Sequence, residues 1–163
     1  MILAVVSTHL HPFPRAIHLA AQLARLCDEE LQVQHGRTAP FALPGVDVRW
    51  HQWYDTRAGL GDAMRAASIV VLHGGSGCIF QALRLGVRPV AVPRLARYRE
   101  HVDDHQLQLC TKLAVAGTIV TWNDGETAAE VLDRLESVPA RPLPERADLR
   151  PAVWAAAHSL ARN

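Results

Sequence analysis

Cysteine is scarce: Cys27, Cys78 and Cys110 are the only three in 163 residues. They are odd in number, far apart and never in a CxxC pair, which excludes a disulfide framework and a paired-thiolate zinc site. Their apolar surroundings fit buried thiols in a reducing compartment. A dominant charge is also lacking. Seventeen basic residues face sixteen acidic ones, a formal net charge of +1, so neither bulk basicity for nucleic acid nor a solvating acidic tail is present. Lys112 is the only lysine, and every other basic residue is Arg. No apolar run approaches the ~18 residues of a membrane span. Met1 to Val6 is too short for a secretory signal and has no basic start. These absences predict a cytoplasmic protein, for which any membrane contact would be peripheral or through a partner. What remains is ordinary globular composition, 49% apolar and 20% charged, on a chain long enough to bury roughly 70% of its unfolded surface as one domain.

Strand and helix patterns alternate along the chain. Ile2 to Ser7, Ser68 to Leu72 and Pro89 to Val92 are nearly continuous apolar runs, as in strands buried on both faces. Leu31 to Gln34, Val46 to Trp50 and Thr118 to Thr121 read as shorter strands. Helical spacing predicts helices over Arg15 to Leu26, Leu60 to Ala67, Cys78 to Leu85, Val102 to Ala116 and Gly125 to Leu135, two of them stopped by Gly86 and Gly117. The expected fold is α/β, a parallel sheet with helices on both faces. Residues 1–137 form the domain. Residues 138–163 are expected to be a Pro-rich linker and a last helix over Pro151 to Ala161, with proline at its first position.

Three segments carry chemistry. His73-Gly74-Gly75-Ser76-Gly77-Cys78-Ile79 lies between a buried strand and a helix. Glycines there let a backbone approach an anion, and the first-turn amides and helix dipole attract it. Ser76 adds a hydroxyl. The spacing is neither GxGxxG nor a P-loop, and a ligand-free tight turn is the alternative. Glu100-His101-Val102-Asp103-Asp104-His105-Gln106 admits three readings: acids capping a helix, a metal pair in His101 and His105, or a sugar-binding edge. Ser7-Thr8-His9-Leu10-His11-Pro12-Phe13-Pro14-Arg15 leaves the first strand on the same edge, where Thr8 could reach an anion and His9 could act as general base, or both could simply face water. Arg94, Arg97 and Arg99 share one loop, either meeting phosphate or solvated. Trp50, Trp53 and Tyr54 read as core rim.

With these segments in hand the sequence resembles the carboxyl-terminal, donor-binding half of GT-B glycosyltransferases, the group that contains the bacterial peptidoglycan N-acetylglucosaminyltransferase. It is most similar to stand-alone small subunits of split enzymes, such as PssE-like exopolysaccharide glycosyltransferase subunits and the small subunit of the eukaryotic dolichol-linked UDP-GlcNAc transferase. The match runs from about Met1 to Val120. It rests on Val6-Ser7-Thr8-His9 with Pro12-Phe13-x-Arg15, on His73 to Phe80, and on Val92-Pro93-Arg94 with Glu100 to Gln106.

The resemblance implies a Rossmann-like domain holding a UDP-sugar at the carboxyl edge of its sheet. Thr8, Gly74, Gly75, Ser76 and Gly77 would bind the diphosphate. Gln81 stands where the peptidoglycan enzyme has a ribose-binding glutamate. Asp104, His105 and Gln106 match the segment that contacts the donor sugar. The implied reaction is inverting transfer with no metal and no cofactor beyond the donor substrate, and His9 is the candidate base. A single domain lacks the acceptor-binding half, so a membrane-associated partner subunit carrying a lipid-linked acceptor is expected. Two other readings remain: a non-catalytic nucleotide-sugar-binding regulatory module, and a metal-dependent hydrolase using His9, His11, His101 and His105.

Overall fold

The computed structural model describes residues 1–6 and 10–137. The linker and last helix expected over 138–163 lie outside the described residues, as do Thr8 and His9. The elements are β1 (Ile2–Val5), α1 (Pro14–Cys27), β2 (Leu31–Gln34), β3 (Val48–His51), α2 (Arg57–Ala66), β4 (Ile69–His73), α3 (Ser76–Arg84), β5 (Val90–Val92), a one-turn 3-10 helix (Ala96–Tyr98), α4 (His105–Val115), β6 (Val120–Thr121) and α5 (Ala128–Ser137). The six strands form one sheet in the order β3-β2-β1-β4-β5-β6, and every pairing is parallel. The expected α/β, Rossmann-like class is what forms.

The alternation of side chains along each strand divides the core into two layers. Ile2 and Ala4 of β1 and Val71 of β4 pack with Ile17 and Leu23 of α1 and Val131 of α5. Leu3, Val5, Val70 and Leu72 pack on the opposite face with Met64 of α2, Ile79 and Leu83 of α3, and Cys110 and Leu113 of α4. β1 and β4 are buried along their whole length. That explains why their sequences are unbroken apolar runs rather than alternating ones. Of the aromatics at the β3 edge, Trp50 and Tyr54 are core rim as expected, each half-buried against the core, whereas Trp53 is 41% exposed; Phe41 sits 5.6 Å from Trp50, and His18 4.7 Å from Phe41, centroid to centroid.

Three boundaries differ from expectation in ways that matter for the site. α3 starts at Ser76, two residues before Cys78. α4 starts at His105, three residues after Val102, because Asp103 and Asp104 hold the chain in a bend. The loop from Arg94 to Glu100, expected as an exposed charged stretch, contains the 3-10 turn and is anchored at both ends by buried residues.

Strand order reverses direction between β1 and β4, since the chain winds outward from β1 to β3 and then returns to β4. Loops leaving neighbouring strands part company at such a point and leave a crevice at the carboxyl edge. The segments after β1 and β4, Val6 onward and His73 onward, therefore flank one crevice.

Candidate functional site

The turn after β4 is built from the inside out. The Gly74 amide donates to Val92 O at 2.9 Å and the Gly75 amide to His73 O at 2.8 Å. Both glycine N–H groups are thus consumed within the fold. A Cβ on Gly74 would lie 2.9 Å from Cys110 Sγ and 3.1 Å from both Gln106 Cβ and Pro93 Cα; one on Gly75 would lie 2.3 Å from His73 Nε2. Internal packing by itself requires these two positions to be glycine. Gly77 is the reverse case: no described residue lies within 4 Å of its Cβ position.

The first backbone bond of α3 runs from the Ile79 amide to Gly75 O at 3.2 Å. The amides of Ser76, Gly77 and Cys78 therefore precede the helical ladder. Gly75 at the cap position has no side chain with which to cap them. Ser76 and Gly77 are exposed, Gly75 and Cys78 half-buried. Two open amides, a hydroxyl and a helix dipole thus face the crevice, an anion-binding arrangement. Gln81 is half-buried one turn further along α3.

His73 ends β4 and is only 8% exposed. Its Nδ1 lies 3.3 Å from Val5 O. A carbonyl only accepts, so Nδ1 carries the proton and Nε2 is turned toward Gly75. Sequence reasoning quoted His73 within the glycine motif and gave it no role. Its position as the last in-register residue of a buried strand at the switch point was the available signal.

The α4 terminus adjoins this turn, since Gly74 packs on Gln106. Gln106 is 5% exposed, and its Oε1 accepts from the Arg94 amide at 3.1 Å. Its carbonyl is therefore committed to the fold, leaving the amide NH2 as its donor group. Asp104 Oδ1 accepts from the Ala96 amide at 2.8 Å. It braces the 3-10 turn and does not cap α4. Asp103 does the capping: its Oδ1 accepts from the His105 amide at 3.2 Å and is hydrogen-bonded to His105 Nδ1. These bonds hold the Asp103 carboxyl below its ordinary value. His101 lies outside the helix, so the shared-face argument for a metal pair fails. The chain bend nevertheless brings the two rings to 4.6 Å, with Nδ1 of His101 3.2 Å from Asp103 Oδ1. Ligand atoms of His101, Asp103 and His105 all fall within 4.8 Å of one another. This is the one metal-competent group among the described residues, and its carboxylate is already used as a cap.

The arginines of the loop after β5 separate. Arg94 is 1% exposed, neither solvated nor open to phosphate, and burial pushes its pKa down to about 10. Arg97 pairs with Asp124, which also accepts from the Tyr98 hydroxyl at 2.7 Å. Arg99 is exposed. Arg15 binds both oxygens of Glu100, at 2.9 and 2.7 Å, and Pro93 O at 2.7 Å. Beyond this cluster lies a cavity of about 250 Å³, floored by Leu95, Leu107 and Trp122 and rimmed by Arg97, Asp104 and Asp124. Its walls come from α1, α4 and the segments after β5 and β6, which are distant in sequence and leave no local pattern.

The structure therefore gathers Gly74, Gly75, Ser76, Gly77, Gln81, Asp104, His105 and Gln106 along one sheet edge, on two adjoining helix N-termini.

Comparison with known proteins bears on this edge. The family model "Glycosyltransferase family 28 C-terminal domain" matches residues 16–154. Among solved structures, the glycotransferase of kitacinnamycin superposes with a TM-score of 0.61 at 21% identity, over 98% of this chain and 38% of that one. The glycosyltransferase SnogD from Streptomyces nogalater gives 0.59 at 21%, over 99% and 39%. The spinosyn rhamnosyltransferase SpnG complexed with thymidine diphosphate gives 0.50 at 18%, over 98% and 40%. The likeness is one of fold, and the chain spans well under half the length of each of these proteins.

Proposed function

The chain belongs to the family of glycosyltransferase family 28 C-terminal domains, and from that premise we propose that it binds the nucleotide-sugar donor of a two-chain, inverting glycosyltransferase acting in polysaccharide or glycolipid synthesis. The observation that carries this reading is the exposed, uncapped first turn of α3 at the switch point of the sheet. The donor is a UDP-sugar. Its diphosphate lies on the amides of Ser76 and Gly77 and the Ser76 hydroxyl, and Thr8 is a further proposed diphosphate ligand. Gln81 meets the ribose. His105 and the amide NH2 of Gln106 meet the sugar hydroxyls.

In the transfer, the acceptor hydroxyl oxygen bonds to the anomeric carbon from the face opposite the diphosphate. The bond from that carbon to the phosphate oxygen breaks, and its electron pair leaves with UDP. The hydroxyl proton passes to a general base, either one supplied by the partner or His9. Charge accumulates on the departing phosphate. Donors already aimed there stabilise it without reorganising, and His73, whose Nε2 faces Gly75, lies behind them.

The acceptor-binding half comes from a partner subunit at the membrane. Leu10 and Val102, on the loops after β1 and β5, are 71% and 81% exposed. Large apolar side chains at the mouth of a site suit a surface that another chain covers.

Titration calorimetry of the purified chain with UDP, thymidine diphosphate and a panel of UDP-sugars tests the reading. Thymidine diphosphate is included because SpnG is seen with it. UDP is expected to bind and uridine to bind far more weakly. Turnover on a lipid acceptor is expected only when the acceptor-binding chain is added. Absence of nucleoside diphosphate binding at millimolar concentration refutes the reading, and full activity of the isolated chain refutes the split.

A further inference from the structure

Arg94 follows β5, yet its Nη2 donates to Val6 O, just beyond β1, at 2.9 Å. β4 lies between those strands. The side chain therefore crosses the carboxyl end of β4, from which the glycine turn springs. Its Nη1 donates to His11 O at 2.9 Å and Glu100 O at 3.2 Å. The guanidinium lies 4.3 Å from the Phe13 ring centroid. Its Nε is buried with no hydrogen-bond partner among the described residues.

The charges around it do not cancel. The Glu100 carboxylate is claimed by Arg15 through both oxygens and by the Leu95 amide at 3.1 Å. Arg94 meets the carbonyl of Glu100, not its carboxylate. Two guanidinium groups thus share one carboxylate, and Arg94, the more deeply buried of the two, is bonded among the described residues only to carbonyls. A buried charge without a bonded counter-ion is costly. Tying loops together would not require one, because neutral donors also bond carbonyls. Even with its pKa lowered to about 10, the group is charged at neutral pH.

We infer that Arg94 is a positioning residue whose uncompensated charge draws the diphosphate of the donor into the crevice beside the glycine turn, without touching it. The inference rests on the diphosphate site proposed above. It distinguishes two roles that share the same contacts: a neutral strut would affect every ligand alike, whereas a charge acts in proportion to ligand charge.

The test is calorimetric titration of UDP, UMP and uridine into the wild type, Arg94→Lys and Arg94→Met, with melting curves for each. The Met variant is expected to lose roughly tenfold or more in UDP affinity, the size of one charge pair in a protein-like dielectric. It should lose less for UMP and keep uridine within about twofold. The Lys variant should melt earlier than wild type yet bind UDP nearly as well, since the charge is retained. Glu100→Gln keeps an oxygen for Arg15 but removes the counter-charge. It should bind UDP several-fold more tightly with uridine unchanged, a gain that misfolding cannot mimic if the Met variant fails to fold. Equal losses for UDP and uridine, a Lys variant no better than Met, or no gain in Glu100→Gln would overturn the inference. Wild-type protein that binds UDP alongside a Met variant that binds it equally well overturns the inference alone. Wild-type protein that binds no UDP overturns the proposed function and this inference together.

Discussion

Replacing Gly77 by alanine should make the protein more stable and a poorer binder at once. Gly77 lies in the first turn of α3 and is exposed, and no described residue comes within 4 Å of its Cβ position. Among the described residues no contact opposes the added methyl. Glycine in a helix costs roughly 0.5–1 kcal/mol relative to alanine through backbone entropy. For a chain of this size that gain corresponds to a rise of about 1–4 °C in Tm. The same methyl would stand where the bound phosphate needs to approach the Gly77 amide. Losing one charge-assisted hydrogen bond of about 1.5–3 kcal/mol weakens UDP by roughly ten- to a hundredfold. Scanning calorimetry measures the first quantity and titration calorimetry the second, on one preparation. A fall in Tm would mean that the space around Gly77 is not open. A raised Tm with unchanged UDP affinity would mean that the turn is a packing device and not a phosphate cradle.

Gly74→Ala should destabilise by about 1–3 kcal/mol through overpacking, since its Cβ would meet Cys110 Sγ at 2.9 Å. Cys110→Ala should recover part of that loss. A urea-melt double-mutant cycle is expected to show coupling above about 0.5 kcal/mol, and strict additivity would contradict the contact. Asp103 has its carboxyl held below the ordinary 3.8 by bonds from His105. Its contribution to stability is therefore complete above that value and disappears as pH falls through the lowered folded value. Asp103→Asn should flatten the acid limb of a urea-midpoint profile while leaving its alkaline limb unchanged; an unaltered acid limb would remove the cap. At the proposed site main-chain amides alone would hold the diphosphate, so UDP affinity should be the same in excess EDTA as with added magnesium, and a severalfold loss on chelation would point instead to a metal bridge.

The two deeply buried strands were the most legible part of the sequence. β1 and β4 are covered on both faces, so nothing interrupts their apolar runs, and the glycine turn that follows β4 marks the switch point. Helix starts were less legible because side-chain bonds set them. Asp103 caps His105 and delays α4, while the uncapped Gly75 lets α3 begin at Ser76. The turn glycines were recognised, but their packing role was not: Gly74 and Gly75 make room for Cys110, Pro93, Gln106 and His73, while Gly77 has no described residue within 4 Å of its Cβ position. Such contacts join residues distant along the chain and leave no local pattern. Arg94 is the plainest example. In the sequence it is one of three arginines in a charged loop; only the strand order β1-β4-β5 shows that its side chain must pass beneath the turn to reach Val6. The 250 Å³ cavity has the same origin, since its walls come from α1, α4 and the segments after β5 and β6.

A crystal soaked with UDP gives the most direct reading of the central claim. Phosphate density is expected against the amides of Ser76 and Gly77, beside His73, at the crevice between β1 and β4. Nucleotide density confined to the cavity over Leu107 and Trp122, or to a surface away from the α3 terminus, would contradict the account.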